Sequence, residues 1–86
     1  MINGQTKTGF QYEIDETKLD DMEFLELLSA ANDDVLQIPK VLTAMLGEKQ
    51  KKELYEHLRN ENGKVPFTEV RNALFEIMES NAETKN

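Results

Sequence analysis

Eighty-six residues with 17 acidic and 10 basic side chains carry a net charge of −7 and no cysteine. That length bounds one domain, since domains run to roughly 100–200 residues, and the missing thiols exclude disulfides and thiolate metal sites. The acidic balance excludes the clustered Lys and Arg that nucleic acid or an anionic membrane surface demands. No apolar run nears the roughly 20 residues of a membrane span, and Met1-Ile2-Asn3-Gly4-Gln5-Thr6-Lys7 has no apolar stretch of a secretory signal. A soluble, intracellular chain is expected.

Residues 1–14 differ from the rest. Gly4 and Gly9 flank Gln5-Thr6-Lys7-Thr8, and Phe10-Gln11-Tyr12-Glu13-Ile14 alternates apolar and polar with period two, a strand signal. A turn near Lys7–Gly9 would pair this strand with residues 2–6. A lone hairpin is marginal in water, so it must lean on the helices or on another chain. Self-association through this strand is thereby left open.

Thr17 followed by Asp20 resembles a capping box, with Asp20 and Asp21 placed against the positive end of a helix. The helix is expected to run to about Ala31. Met22, Leu25 and Leu28 mark one apolar stripe on it, and Phe24, Leu27 and Ala31 an adjoining one. Asn32-Asp33-Asp34 is the break, and it caps the next element.

The run Val35–Leu46 holds one charged residue, Lys40, in a chain that is 31% charged. From Pro39 it reads as a helix, apolar at Val41, Leu42, Met45 and Leu46, with Pro39 tolerated in the first turn and Gly47 as a left-handed cap. This is the expected core helix. Glu48–Arg59 is helical by propensity, with Leu54, Tyr55, Leu58 and the Lys51 stem on a narrow apolar side and a Glu48–Lys52 pair outside. Asn60-Glu61-Asn62-Gly63 is a turn. Pro66 suits the start of a last helix with Phe67, Val70, Leu74, Ile77 and Met78 on one side, and Ser80–Asn86 is expected to fray.

The fold expected is therefore mainly α: an N-terminal β-strand or short hairpin, then about four helices packed around a central helix, Pro39–Leu46. It is one domain over residues 1–86, with a strand or hairpin arm at 1–14, a helical core at 15–79 and a frayed tail at 80–86.

Asn60, Asn62, Gly63, Val65 and Glu69 fall at positions three, five, six, eight and twelve of a calcium-binding EF-hand loop. Position one would be Leu58, which offers no oxygen, and only Glu69 would bring charge. A helix cap at Gly63 followed by a Pro-initiated helix explains the stretch better. His57, the one imidazole, reads as a helix-surface side chain pairing with Glu53. The pairs Asp20/Asp21 and Asp33/Asp34 sit at helix starts, which accounts for them without catalysis. No glycine-rich phosphate loop or nucleophile elbow is present. No enzyme, no catalytic residue, no metal and no cofactor are expected.

What remains is a surplus of apolar side chains on helices: Met22, Phe24, Leu25, Leu27, Phe75 and Met78. Together they exceed what a thin helical core needs. Met is common at adaptable binding surfaces, and such a surface suits a helix laid in a groove. A basic or amphipathic helical protein partner complements the charge of −7. If these residues form the working surface, Phe24 should be partly exposed and Leu42 buried.

The order of segments also resembles a known family. Leu19-Asp20-Asp21-Met22-Glu23-Phe24-Leu25-Glu26-Leu27-Leu28, Ile38-Pro39-Lys40-Val41-Leu42 with Leu46-Gly47-Glu48, Lys51-Lys52 with Leu54-Tyr55, His57-Leu58-Arg59, and Asn62-Gly63-Lys64-Val65-Pro66 are similar to small tail assembly chaperones of long-tailed (siphovirus-type) phages and prophages. The residues in common are packing and capping residues. The resemblance implies a mostly helical, non-enzymatic protein of the bacterial host cytoplasm. It would bind the long helical tape measure protein, keep it soluble and help recruit tail tube subunits. Many members also exist in a longer, frameshifted form, and residues 80–86 would suit such a junction. The alternative reading is a small acidic adaptor or regulatory protein that docks a helical segment of one partner.

Overall fold

The alternation of Phe10, Tyr12 and Ile14 produces the expected strand. In the computed structural model, which describes residues 1–83 with side chains through Asn81, β1 (Ile2–Gln5) and β2 (Gln11–Ile14) form an antiparallel hairpin. Its register pairs Ile2 with Ile14, Asn3 with Glu13, Gly4 with Tyr12 and Gln5 with Gln11. Thr6 and Phe10 close the loop, Thr6 N–H donating to the Phe10 carbonyl (2.9 Å) and Phe10 N–H to the Thr6 hydroxyl (3.1 Å). Gly9 takes φ 99° there, a conformation other residues rarely adopt. The hairpin pairs within the chain, and the inward-facing Phe10, Tyr12 and Ile14 are buried.

The expected capping box at Thr17 is not formed. Asp15 instead caps a single 3-10 turn, Glu16–Lys18, by accepting from both the hydroxyl and the N–H of Thr17. Helix α1 (Met22–Asp33) starts later, with Asp21 accepting from the Glu23 N–H at 3.0 Å. The two aspartates compete with Thr17 and win because a carboxylate accepts a cap hydrogen bond more strongly than a hydroxyl. Asp34 then caps a second 3-10 turn, Val35–Gln37, which feeds α2 (Ile38–Leu58).

Among the described residues three helices form where about four were expected. The two segments anticipated on either side of Gly47 are one element, α2, bent at Gly47 with φ 84° and ψ 161°. Gly47, with its positive φ, interrupts the helix where expected, and the second stretch follows across a kink without a loop. The first half of α2 is central as expected: Val41 and Leu42 are fully buried, Met45 nearly so, and α1, α3 and β2 all pack on α2. In the second half Leu54 is buried and Tyr55 and Leu58 half-buried. The ion pair there joins Glu48 to Lys51 (3.4 Å) rather than to Lys52, because the buried stem of Lys51 brings its amine round to that side.

Helix α2 ends at Leu58, and Gly63 is not its cap. Gly63, at φ 78°, closes a turn by donating to the Asn60 carbonyl (3.0 Å). The carbonyl of Pro66 opens α3 (Phe67–Glu83) by accepting from Val70 N–H. Val70, Leu74 and Ile77 face the core. The expected fraying from Ser80 is not seen through Glu83: the helix continues, and buried Asn81 donates to the Ile77 carbonyl at 2.7 Å. Residues 84–86, the rest of the expected tail and of the frameshift junction, lie outside the described residues.

Candidate functional site

The six residues singled out on the helices separate into three groups. Leu25, Phe75 and Met78 come together, with Leu28, Ala31, Ile38 and Leu74, to line a groove of about 320 Å³ between α1 and α3. Met22 stands exposed at the start of α1, one turn before Leu25. Phe24 and Leu27 lie apart from both. Phe24 is 5% exposed and Leu27 half-buried, both packed into the core. On α1 the stripe Phe24, Leu27, Leu28 and Ala31 turns inward, so the adjoining stripe at Met22 and Leu25 must turn outward. Leu42 is fully buried, as expected, whereas the partly exposed Phe24 is not found.

A second groove of about 320 Å³ was not anticipated. It is lined by Val35, Leu36, Ile38, Pro39, Tyr55, Val65, Phe67 and Val70. Val35 and Leu36 were read as part of an apolar run leading into the core. The Asp34 carboxylate instead accepts from Leu36 N–H at 3.1 Å and starts the 3-10 turn, which aims both side chains outward and leaves Leu36 77% exposed. Phe67 stands in the first turn of α3, at the margin of the core, and is about half exposed. The signal that could have found this patch was the Asp34 cap directly before two large apolar residues.

Ile38, itself buried, lines both grooves. No residue lining either groove is charged. The charges beside them are mostly acidic. From Leu19 to Pro39 the sequence has six carboxylates and no cation, and α3 as far as Asn81 carries Glu69, Glu76 and Glu79 against the single Arg71. By helical spacing Glu26 and Asp33 stand on the α1 rim beside Met22 and Ser29, and Glu79 on the α3 rim beside Phe75. The second half of α2 holds Lys49, Lys51 and Lys52 among Glu48, Glu53 and Glu56, away from the first groove.

His57 pairs with the hairpin and not with Glu53. Its Nε2 lies 3.0 Å from the Thr8 carbonyl and 3.2 Å from the Thr8 hydroxyl, and its ring sits 5.8 Å from that of Phe10. It fastens the tip of the hairpin to α2. In the former EF-hand candidate the Asn60 side-chain oxygen accepts from the N–H groups of Asn62 and Lys64, both at 3.0 Å, so this oxygen already serves the turn. Three carboxylates are held below their ordinary range: Asp15 by Thr17, Glu16 by the Met1 amine and Glu56 by Arg59. None of them lines either groove. A wider hollow lies between the outer face of the hairpin and α2, among Asn3, Gln5, Gln11, Glu13, Lys49 and Gln50. It is polar and open, and its floor is taken up by hydrogen bonds between Gln50 and Glu13.

Among the described residues no helix is long and apolar enough to cross a membrane. Comparison of the chain with protein-family models, curated proteins and solved structures gives no match.

Proposed function

We propose that this chain is a non-enzymatic binding protein that lays apolar helical stretches of a partner into its grooves, as a tail assembly chaperone for a tape measure protein. The observation that carries the reading is the pair of charge-free grooves joined at Ile38 on a chain of net charge −7. A helix docked there would insert side chains at i, i+3 or i+4 and i+7 between Leu25, Phe75 and Met78. Covering an exposed Leu or Phe is worth about 1.5–3 kcal/mol. Leu25 and Phe75 are about half exposed, so covering both would contribute about 1.5–3 kcal/mol, roughly ten- to a hundredfold in affinity. Met22 and Met78 can repack against clients of differing sequence. The acidic rims favour clients with flanking Lys or Arg and disfavour acidic ones. In the bacterial cytoplasm the same covering would keep a long apolar helical protein soluble until tail tube subunits assemble around it.

Co-expression with the tape measure protein of the same gene cluster tests this. The client should become soluble and co-purify with the chain, and Leu25→Ser with Phe75→Ser should abolish both effects while leaving the fold intact. Equal solubility of the client without the chain, and no complex, would sink the chaperone reading. If the chain instead captures a single enzyme through the same two residues, it is an acidic adaptor.

A further inference from the structure

The two edges of the hairpin are not alike. On the outer edge of β2 the Gln50 side chain takes both backbone groups of Glu13, accepting from its N–H and donating to its carbonyl, each at 2.7 Å. A side-chain amide here copies a neighbouring strand and caps that edge at Glu13. The same bonds fix the phase of the hairpin. Since the N–H and C=O of Glu13 point away from β1, the Asn3–Glu13 pair is a non-hydrogen-bonded one, and the backbone groups of Asn3 also point away from β2. By alternation Gln5 matches Asn3, which agrees with Thr6 bonding to Phe10 on the inner side. The N–H and C=O groups of Asn3 and Gln5 thus form an open row along β1. Helix α2 packs on β2, at the opposite side of the hairpin.

Natural edge strands are usually guarded by charge, proline or a bulge. Ile2-Asn3-Gly4-Gln5-Thr6 has none of these. We infer that β1 is the seat of a symmetric dimer, in which a second copy of this chain adds its own β1 antiparallel across a twofold axis through Gly4. The pairing is self-complementary: Asn3 of each copy exchanges N–H and C=O groups with Gln5 of the other, doubling the two-stranded sheet. It brings copies of an acidic chain together along a segment with no charged side chain, whereas contact through α1 or α3 would oppose carboxylates. The Tyr12 rings, each lying over its own Gly4, would cover the two glycines at the axis. So short a contact falls in the small interface class and gives a weak dimer that salt strengthens by screening repulsion between the acidic chains.

Sedimentation equilibrium of the full chain from about 10 μM to 1 mM, at low and high salt, reads the association, and amide exchange reads the edge. The mass should rise toward the dimer with concentration, more so at high salt, as the Asn3 and Gln5 amides become protected. Asn3→Glu with Gln5→Glu opposes carboxylates across the axis and should weaken the dimer about tenfold or more. Gln5→Pro, which is charge-neutral and removes an outward N–H that the monomer does not use, should weaken it similarly. Circular dichroism of both variants should match the wild type. A monomer under every condition, or a dimer indifferent to both variants, would overturn the inference. Protection of Asn3 and Gln5 only on addition of another protein would likewise overturn it and give the edge to that partner.

Discussion

The ring of Tyr12 lies across the α-carbon of Gly4, its cross-strand partner, so closely that a β-carbon at Gly4 would overlap the ring and its hydroxyl. Tyr12 is buried on the inner face of the hairpin. Glycine at position 4 is therefore a matter of space and not of backbone conformation. Gly4→Ala must push the ring off β1 or part the strands, at a cost of about 1–3 kcal/mol for overpacking. A urea titration reads this as a lower midpoint, and Gly4→Ala combined with Tyr12→Leu should recover part of the loss. A Gly4→Ala midpoint equal to wild type would mean that the ring moves aside without cost.

The stretch Val35–Leu46 divides sharply between surface and core. Leu42 has no exposed surface, and its truncation to Ala should cost about 2–5 kcal/mol through lost burial and the cavity left behind. Leu36, 77% exposed, should tolerate Ala within about 0.5 kcal/mol. Chemical denaturation of the two variants side by side is decisive. A loss at Leu36 comparable to that at Leu42 would place Leu36 in the core.

This division also marks where reading the sequence reached and where it stopped. The period of Phe10, Tyr12 and Ile14 and the stripe Val70, Leu74 and Ile77 are local patterns that face one way in any packing, so the hairpin and the last helix were legible. The two stripes of α1 were legible as stripes. Which one is buried depends on where α2 and α3 lie, so Phe24 was assigned to the wrong side. Leu25, Phe75 and Met78 were singled out from pattern alone, but their meeting in one groove is a tertiary fact. Val35 and Leu36 were missed because an apolar run shows no break of its own when a side-chain cap on a short 3-10 turn redirects it. His57 found its partner 49 positions away at Thr8, beyond the reach of helical spacing.

Two exposed carboxylates set an acid limb. Asp15 is held below its ordinary 3.8 by hydrogen bonds from the Thr17 hydroxyl and N–H, and Glu56 below its ordinary 4.5 by the hydrogen bonds and charge of Arg59. A carboxylate with a lowered pKa in the folded chain stabilises fully above its unfolded value. That contribution is lost as pH falls through the lower folded value. Wild-type stability should therefore drop more steeply below about pH 4.5 than that of an Asp15→Asn, Glu56→Gln variant, the two curves running parallel from pH 5 to 7. Both groups are solvent-exposed, so the difference is small. Denaturant midpoints across pH 3–7 check it, and identical acid limbs would remove both groups from the account.

Gly47 bears the bend in α2. Its φ of 84° and ψ of 161° lie in a region held almost wholly by glycine. Nothing lies within 4 Å of a β-carbon built there, so a substitution meets strain rather than crowding. The bend sits beside Gln50, whose amide donates to the Leu46 carbonyl (2.8 Å) just before the kink and to the Glu13 carbonyl (2.7 Å) on β2. Gly47→Ala then has two outcomes. Either the bend persists under strain and stability falls by about 1–3 kcal/mol, or α2 straightens and Gln50 leaves the strand. Denaturation reads the first outcome, and faster exchange of the Glu13 amide reads the second. An unchanged midpoint together with an unchanged Glu13 amide would show that the conformation at Gly47 neither stores strain nor aims Gln50.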